Sequence, residues 1–275
     1  MGDDQSRVPP TVDTTRPSIA RTYDACLDGK DNFEVDRAVL DQVLEVMPGF
    51  AGMARTNRNW LIRAVHWLAH EAGIDQFLDV GSGLPTAENT HEAAQRVRPG
   101  ATVVYVDNDP ACEAFGKALL EENDRTHFVE ADLTRPAELL GHPEVTRRID
   151  FSRPLALIQC STLHHVPDER RPAEIVDEYR AALPPGSYLA LAHAFDPGDD
   201  GYFSRLCRGI ERSFRDSGFG SVTYRSRAEL ARFFGDFDLV EPGIELLVNW
   251  WPPGPRLRPL EDGDHLMAGG VARKP

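Results

Sequence analysis

Beyond a polar start, apolar side chains recur at helical spacing as far as residue 70. Residues 18–27 form the first such run, and Asp28-Gly29 supplies a stop signal. Residues 32–46 form the second, with Phe33, Val35, Val39, Leu40, Val43 and Leu44, ahead of Pro48-Gly49. Residues 53–70 form the third, where Trp60, Leu61, Ala64, Val65, Trp67 and Leu68 make an apolar face. The period then changes. Short apolar runs predict strands over 76–80, 102–106, 126–130, 154–159 and 187–194. Helical patterns separate several of them: one from Asn89, one over 110–120 and one over 172–183. Asn89-Thr90-His91-Glu92 has capping-box spacing, and Asp109-Pro110 reads as an N-cap followed by a first-turn proline. Further helices are expected over 202–216 and 226–234, the second capped by Ser226. Two late strands, 237–249 and 266–273, are joined by a Pro-rich loop without a helix, which fits a hairpin at one sheet edge.

Strands alternating with helices predict an α/β fold with a mostly parallel, Rossmann-like sheet covered on both faces. A disordered arm is expected over 1–15, an N-terminal helical cap over 16–72 and the α/β core over 73–275. No internal repeat is present. At 275 residues, 41% hydrophobic and 27% charged, the chain suits one α/β domain that needs neither disulfide nor metal.

A formal net charge of −14 and a pI near 5.1 repel phosphate backbones and disfavour a nucleic-acid partner. No run of about 18 apolar residues predicts a membrane span. The acidic N-terminus lacks the basic and apolar regions of a signal peptide. Cys26, Cys112, Cys160 and Cys207 are scattered, which reads as free thiols in a reducing compartment, and the expected location is cytoplasmic.

The chemistry concentrates at strand ends. Phe77-Leu78-Asp79-Val80-Gly81-Ser82-Gly83-Leu84-Pro85-Thr86 reads as a strand, a glycine turn and the approach to a helix. Gly81 and Gly83 allow unusual dihedrals and a close approach of ligand to bare backbone N–H groups. Asp79 suits a ligand amino group better than a pyrophosphate. Asp107 is placed to accept from ribose hydroxyls. Asp132 is placed to accept from an adenine amino group, with Leu133 beside it as an N–H donor and apolar contact. Each aspartate alone is as readily a turn former or helix cap. Three at successive strand ends point to a nucleoside-containing ligand, with S-adenosylmethionine preferred over a dinucleotide. Gly81-x-Gly83 also opens a dinucleotide fingerprint, but its third small residue would fall on Thr86.

Together with Arg21-Thr22-Tyr23-Asp24, Gly29-Lys30-Asp31-Asn32-Phe33, Val104-Tyr105-Val106-Asp107-Asn108-Asp109-Pro110 and Ala131-Asp132-Leu133, this stretch resembles an S-adenosyl methyltransferase family long known as a domain of unknown function. The likeness runs from about residue 16 to the C-terminus. It implies a seven-stranded class I methyltransferase fold with a terminal antiparallel hairpin, S-adenosyl-L-methionine as cofactor, and no particular acceptor. Carried over, Asp79, Gly81 and Gly83 face the methionine part. Asp107 takes the ribose, with Asn108 near the adenine, and Asp132 and Leu133 take the adenine edge. Cys160 and Ser161 present backbone to the methionine part. Pro85 departs from the usual glycine and cannot donate an N–H.

Other residues carry paired readings. His164 or His165, after the fourth strand, would orient or deprotonate an acceptor, or simply turn over the sheet edge. Tyr23 would close over the cofactor, or pack as one more aromatic. Lys30 and Asn32 would reach a carboxylate, or Asn32 would cap the next helix. Arg55, Asn57, Arg58 and Arg63 read first as a solvated helix face, with a carboxylate partner as the alternative. His193 and Asp196 would edge the pocket. Trp250-Trp251 would be core or a wall of the acceptor site. The function these residues support is methyl transfer to a small-molecule acceptor. The alternatives are a non-catalytic S-adenosylmethionine sensor and an NAD-dependent oxidoreductase.

Overall fold

The computed structural model describes residues 12–275 except 86–87, 121–122, 200, 218–219 and 258. Most of the expected arm therefore lies outside the described residues, as does Thr86. Val12, within the expected arm, is buried against the core.

Helices α1 (Ile19–Cys26), α2 (Glu34–Val46) and α3 (Phe50–His70) precede the sheet. The sheet begins with β1 (Gln76–Val80) and continues through β2 (Thr102–Asp107), β3 (Thr126–Glu130), β4 (Ala156–Cys160) and β5 (Tyr188–Ala194). Between these strands run α4 (Thr90–Val97), α5 (Pro110–Leu119), α6 (Pro136–Leu140), α7 (Pro143–Arg148) and α8 (Pro172–Ala182). The chain ends with α9 (Tyr202–Asp216), α10 (Arg227–Phe234), β6 (Asp238–Leu239), β7 (Glu245–Leu246) and β8 (Met267–Arg273). The sheet order is β3-β2-β1-β4-β5-β8-β6, with β7 also paired to β8. The first five strands are parallel and β8 runs antiparallel to β5.

Side chains alternate along each strand, so each residue's parity assigns it to a face. Phe77, Val103, Tyr105 and Ile158 pack with Leu61, Ala64 and Leu68 of α3 and Ala93 of α4. Leu78, Val80, Val104 and Leu157 pack with Val145, Val176 and Phe233 from α7, α8 and α10. Helices therefore cover both faces, as a parallel sheet requires. Asp79 shares the parity of Phe77 and is carried to the α3/α4 face beside Tyr105 and Ile158.

The expected strand over 237–249 is broken. Five residues lie between Leu239 and Glu245, whereas two lie between their partners Ala272 and Gly269. The extra length bulges around Pro242, which has no N–H for the ladder, and Gly243, whose φ is +85°. Helices α6 and α7 were not expected, although each opens on a first-turn proline. Asn32 does not cap α2. Phe33 occupies that position, and its N–H donates to Asp36 Oδ2 at 2.8 Å. Asn32 instead donates to Asp24 Oδ2 at 2.8 Å and to the Gly29 carbonyl at 3.0 Å. The buried Asp36 carboxylate also takes the Ser18 N–H and the Arg21 guanidinium, each at 2.9 Å.

Candidate active site

The strand order reverses between β1 and β4, which opens a crevice at their carboxyl ends. A cavity of about 540 Å³ occupies this position, within the range of small-molecule sites. Asp79, Gly81, Gly83, Asp107, Asn108, Asp132, Leu133, Cys160, Ser161, His164, His165 and Tyr23 all line it. His193, Asp196, Lys30, Asn32, Trp250 and Trp251 do not. Trp250 is core: its ring meets Trp60 edge-on at 6.3 Å, and its N–H donates to the Gly269 carbonyl at 3.0 Å.

The glycine turn is wired internally. The N–H groups of Gly81 and Ser82 donate to the Val106 carbonyl at 2.7 and 3.1 Å. The Gly83 N–H donates to Asp107 Oδ2 at 2.8 Å. The expectation of bare N–H groups is corrected here: all three donors are taken within the protein, and Pro85 has none. An anion would find no free backbone donor at these positions. Gly81 sits at φ +82°, and a Cβ there would lie 2.2 Å from Thr162 Cγ2, so the turn presses on the β4 loop.

The acids differ in setting. Asp79 is buried, and its Oδ2 accepts from Thr90 Oγ1 at 2.6 Å. Burial pushes its carboxyl up to about 6, against the opposing effects of that hydrogen bond and of Arg58. Burial, and then the neighbouring Asp109 carboxylate, also raise Asp107, opposed by the N–H groups of Asp109, Gly83 and Asn108. Asp109 caps α5 through the Ala111 N–H at 2.8 Å and accepts from Ser18 Oγ, which ties the start of α1 to the end of β2. Asp132 Oδ1 accepts from the Thr134 N–H and Oγ1 at 2.8 and 2.7 Å.

Tyr23 both lines the cavity and is anchored. Its hydroxyl donates to the Ala54 carbonyl at 3.0 Å and accepts from Asn57 Nδ2 at 2.8 Å. Asn57 Oδ1 in turn accepts from the Cys160 thiol at 3.3 Å. Ser161 holds φ +60°, a left-handed backbone at the mouth of β4.

Arg58 and Asn57 belong to the site rather than to a solvated face. Both line the cavity, and Arg58 donates to the Glu88 carbonyl. Their signal in the sequence was position: Ala54, Asn57, Arg58, Leu61, Ala64, Val65 and Leu68 share one helical stripe, so polar residues on it face inward. Arg63 is likewise engaged, donating to the carbonyls of Trp250 and Leu247 at 2.8 and 2.9 Å.

The model of a family described as S-adenosyl methyltransferase matches residues 5–275. The chain belongs to this S-adenosyl methyltransferase family. Its members transfer a methyl group from S-adenosyl-L-methionine, and this chain is accordingly an S-adenosylmethionine-dependent methyltransferase. The crystal structure of a Thermobifida fusca protein provisionally assigned as a methyltransferase is 44% identical, covering 98% of this chain and 99% of that one, with a TM-score of 0.91. A DUF574-family protein from Streptomyces avermitilis is 39% identical over 96% of this chain and 99% of that one, with a TM-score of 0.89. An O-methyltransferase family protein from Burkholderia thailandensis shares the fold at 14% identity and a TM-score of 0.53, covering 82% of this chain and 58% of that one. No curated protein matches the chain.

The cavity fits the cofactor. Five buried polar atoms on lining residues have no partner among the described residues: Thr22 Oγ1, Arg58 Nε, Ser82 Oγ, Ser161 Oγ and Thr162 Oγ1. Unpartnered buried groups are costly, so a cluster of them around one cavity marks where a polar ligand completes the structure. No group of three or more metal-ligating side chains occurs among the described residues. No helix among them is long and apolar enough to cross a membrane.

Proposed function

We propose that Asp79 holds the ammonium of the amino-acid end of S-adenosylmethionine, which lies against the turn of Gly81 and Gly83, with the backbone of Cys160 and Ser161 opposite. In this reading Asp107 takes the ribose, and Asn108, Asp132 and Leu133 border the adenine. Tyr23 closes the cofactor from α1, and the N-terminal helices form the cap. The observation that carries this reading is the turn itself. Its N–H donors are consumed at Val106 and Asp107, and a buried carboxylate stands beside it. Such a turn suits an ammonium and offers no cradle for a pyrophosphate.

The bound cofactor supplies an electrophilic methyl on a sulfonium, already a good leaving group. The protein's contribution is positioning and exclusion of water. Asp79 orients the cationic end, Asp107 fixes the nucleoside, and α1 and α3 close the cavity over both. The remaining inner space receives a small-molecule acceptor. Calorimetric titration with S-adenosylhomocysteine, with NADH run alongside, tests the assignment. Binding of the first alone is expected. Binding of NADH alone would overturn it.

A further inference from the structure

Besides the three strand-end acids, the cavity has a second, apolar set of lining residues. Phe50, Met53, Ile210, Phe214, Val222 and Met267 form it. Phe50 and Phe214 stand 6.5 Å apart, and the His165 ring stacks on Phe214 at 6.0 Å. Among the described lining residues, the carboxylates belong to Asp79, Asp107, Asp109 and Asp132, all within the proposed cofactor edge. The guanidinium groups belong to Arg58, which bonds the Glu88 carbonyl, and to Arg170, which bonds Thr134 Oγ1 at 2.5 Å and lies 3.9 Å from Asp132. Arg58 lies near enough to Asp79 to lower its carboxyl, and Arg170 lies beside Asp132, so both cations belong to the acid-bearing part of the lining and the apolar part offers a charged acceptor no partner. A charged group buried there without a partner carries a large desolvation cost.

The two adjacent histidines hold opposite tautomers. His165 Nδ1 faces the Ser221 carbonyl at 2.9 Å. A carbonyl only accepts, so Nδ1 carries the hydrogen and Nε2 keeps its lone pair. His164 Nδ1 accepts from the Ala194 N–H at 3.2 Å, which spends its lone pair and leaves the hydrogen on Nε2. His165 is therefore the one of the pair with a basic nitrogen to offer the cavity. Burial holds its imidazole down at about 4, so it stays neutral at physiological pH.

Resting on the cofactor assignment above, we propose that the acceptor is an uncharged aromatic compound bearing a phenolic hydroxyl, seated against the Phe50–Phe214 pair with its O–H donated to His165 Nε2. In the transfer, the acceptor oxygen forms its bond to the methyl carbon while the carbon–sulfur bond breaks. The electron pair of that bond stays on sulfur, and the hydroxyl proton passes to His165. The number of positive charges in the cavity is unchanged by the transfer, since the sulfonium is lost as the imidazolium forms.

The test is calorimetry on the full-length protein saturated with S-adenosylhomocysteine, using 2-naphthol, 2-naphthoate and 2-naphthylmethylammonium as probes. The naphthol is expected to bind at least about tenfold more tightly than either ion. His165→Ala is expected to weaken naphthol binding by about tenfold while leaving S-adenosylhomocysteine affinity unchanged. Either ion binding as tightly as the naphthol, or a His165→Ala protein that binds naphthol like the wild type, would overturn the proposal while the cofactor assignment stands. Failure of the wild type to bind S-adenosylhomocysteine would overturn both, and so separates the two failures.

Discussion

The backbone N–H of Gly83 donates to the carboxylate of Asp107 at 2.8 Å, joining the turn after β1 to the end of β2. The other Asp107 oxygen accepts from the Asp109 N–H at 3.0 Å. One side chain thus fixes the glycine turn and the approach to α5 before any ligand arrives. Asp107→Ala should lose both the proposed ribose acceptor and this preorganisation. Hydrogen bonds to charged groups are worth about 1.5–3 kcal/mol, so affinity for S-adenosylhomocysteine should fall about 10–100-fold. Calorimetry checks this, and an unchanged affinity would remove Asp107 from the ribose site.

The two glycines of the turn should fail in different ways. A Cβ on Gly81 meets Thr162 Cγ2 at 2.2 Å, whereas one on Gly83 meets nothing within 4 Å. Gly81→Ala should therefore cost stability, about 1–3 kcal/mol from overpacking, seen as a lower urea midpoint. Adding Thr162→Ser, which deletes the offending methyl, should recover part of that loss. Gly83→Ala should carry only the cost of its left-handed φ, about 1–2 kcal/mol, and show its main effect on ligand affinity. Equal urea midpoints for the two single variants would contradict the packing argument.

What the sequence disclosed follows from which signals are local. Asp79, Asp107 and Asp132 were readable because strand ends are marked by a change of period, and the sheet brings successive ends to one edge. The caps at Asp109 and Ser226 were readable because a cap is a feature of a few adjacent residues. The spent N–H groups of the turn were not, since their acceptors lie on β2. Nor was the division of labour between His164 and His165, since it is set by carbonyl and amide partners at Ser221 and Ala194. The break after Leu239 was marked by Pro242-Gly243, a signal outweighed by the apolar residues on either side.

The thiols should be inert in the folded protein. Burial pushes Cys26 and Cys160 up to about 12, and Cys112 and Cys207 are also raised by burial. The thiolate is the reactive form, so little of it exists at neutral pH. Iodoacetamide at pH 7.5 should leave the native chain unmodified by mass spectrometry, while all 4 cysteines react after denaturation in urea. Selective modification of Cys160 in the native protein would show that its contact with Asn57 does not shield it.

With Asp79 as the proposed ammonium partner, stability and ligand binding are tied together through pH. The Asp79 carboxyl stands at about 6 in the folded protein against an ordinary 3.8, with burial as the leading cause. An acid raised on folding gives the folded state more protons than the unfolded one between these values. Stability therefore falls as pH rises through that window, and the full penalty is present above it. The penalty is on the order of 3 kcal/mol. Asp79→Asn keeps an oxygen for the Thr90 hydroxyl and removes the buried charge. It should be more stable than the wild type by about 1–3 kcal/mol at pH 7.5, with the gap closing near pH 4, as read by urea denaturation at both values. The same variant should bind S-adenosylhomocysteine more weakly, because its amide cannot pair with the ligand ammonium. In the wild type, the proposed pairing with that ammonium would stabilise the ionised carboxylate, so affinity should rise with pH through about 6. Near that pH binding should also release protons, measurable as a dependence of the calorimetric heat on the buffer's ionisation enthalpy. A pH-independent affinity in the wild type would place the ammonium elsewhere than Asp79, whatever the stability data show.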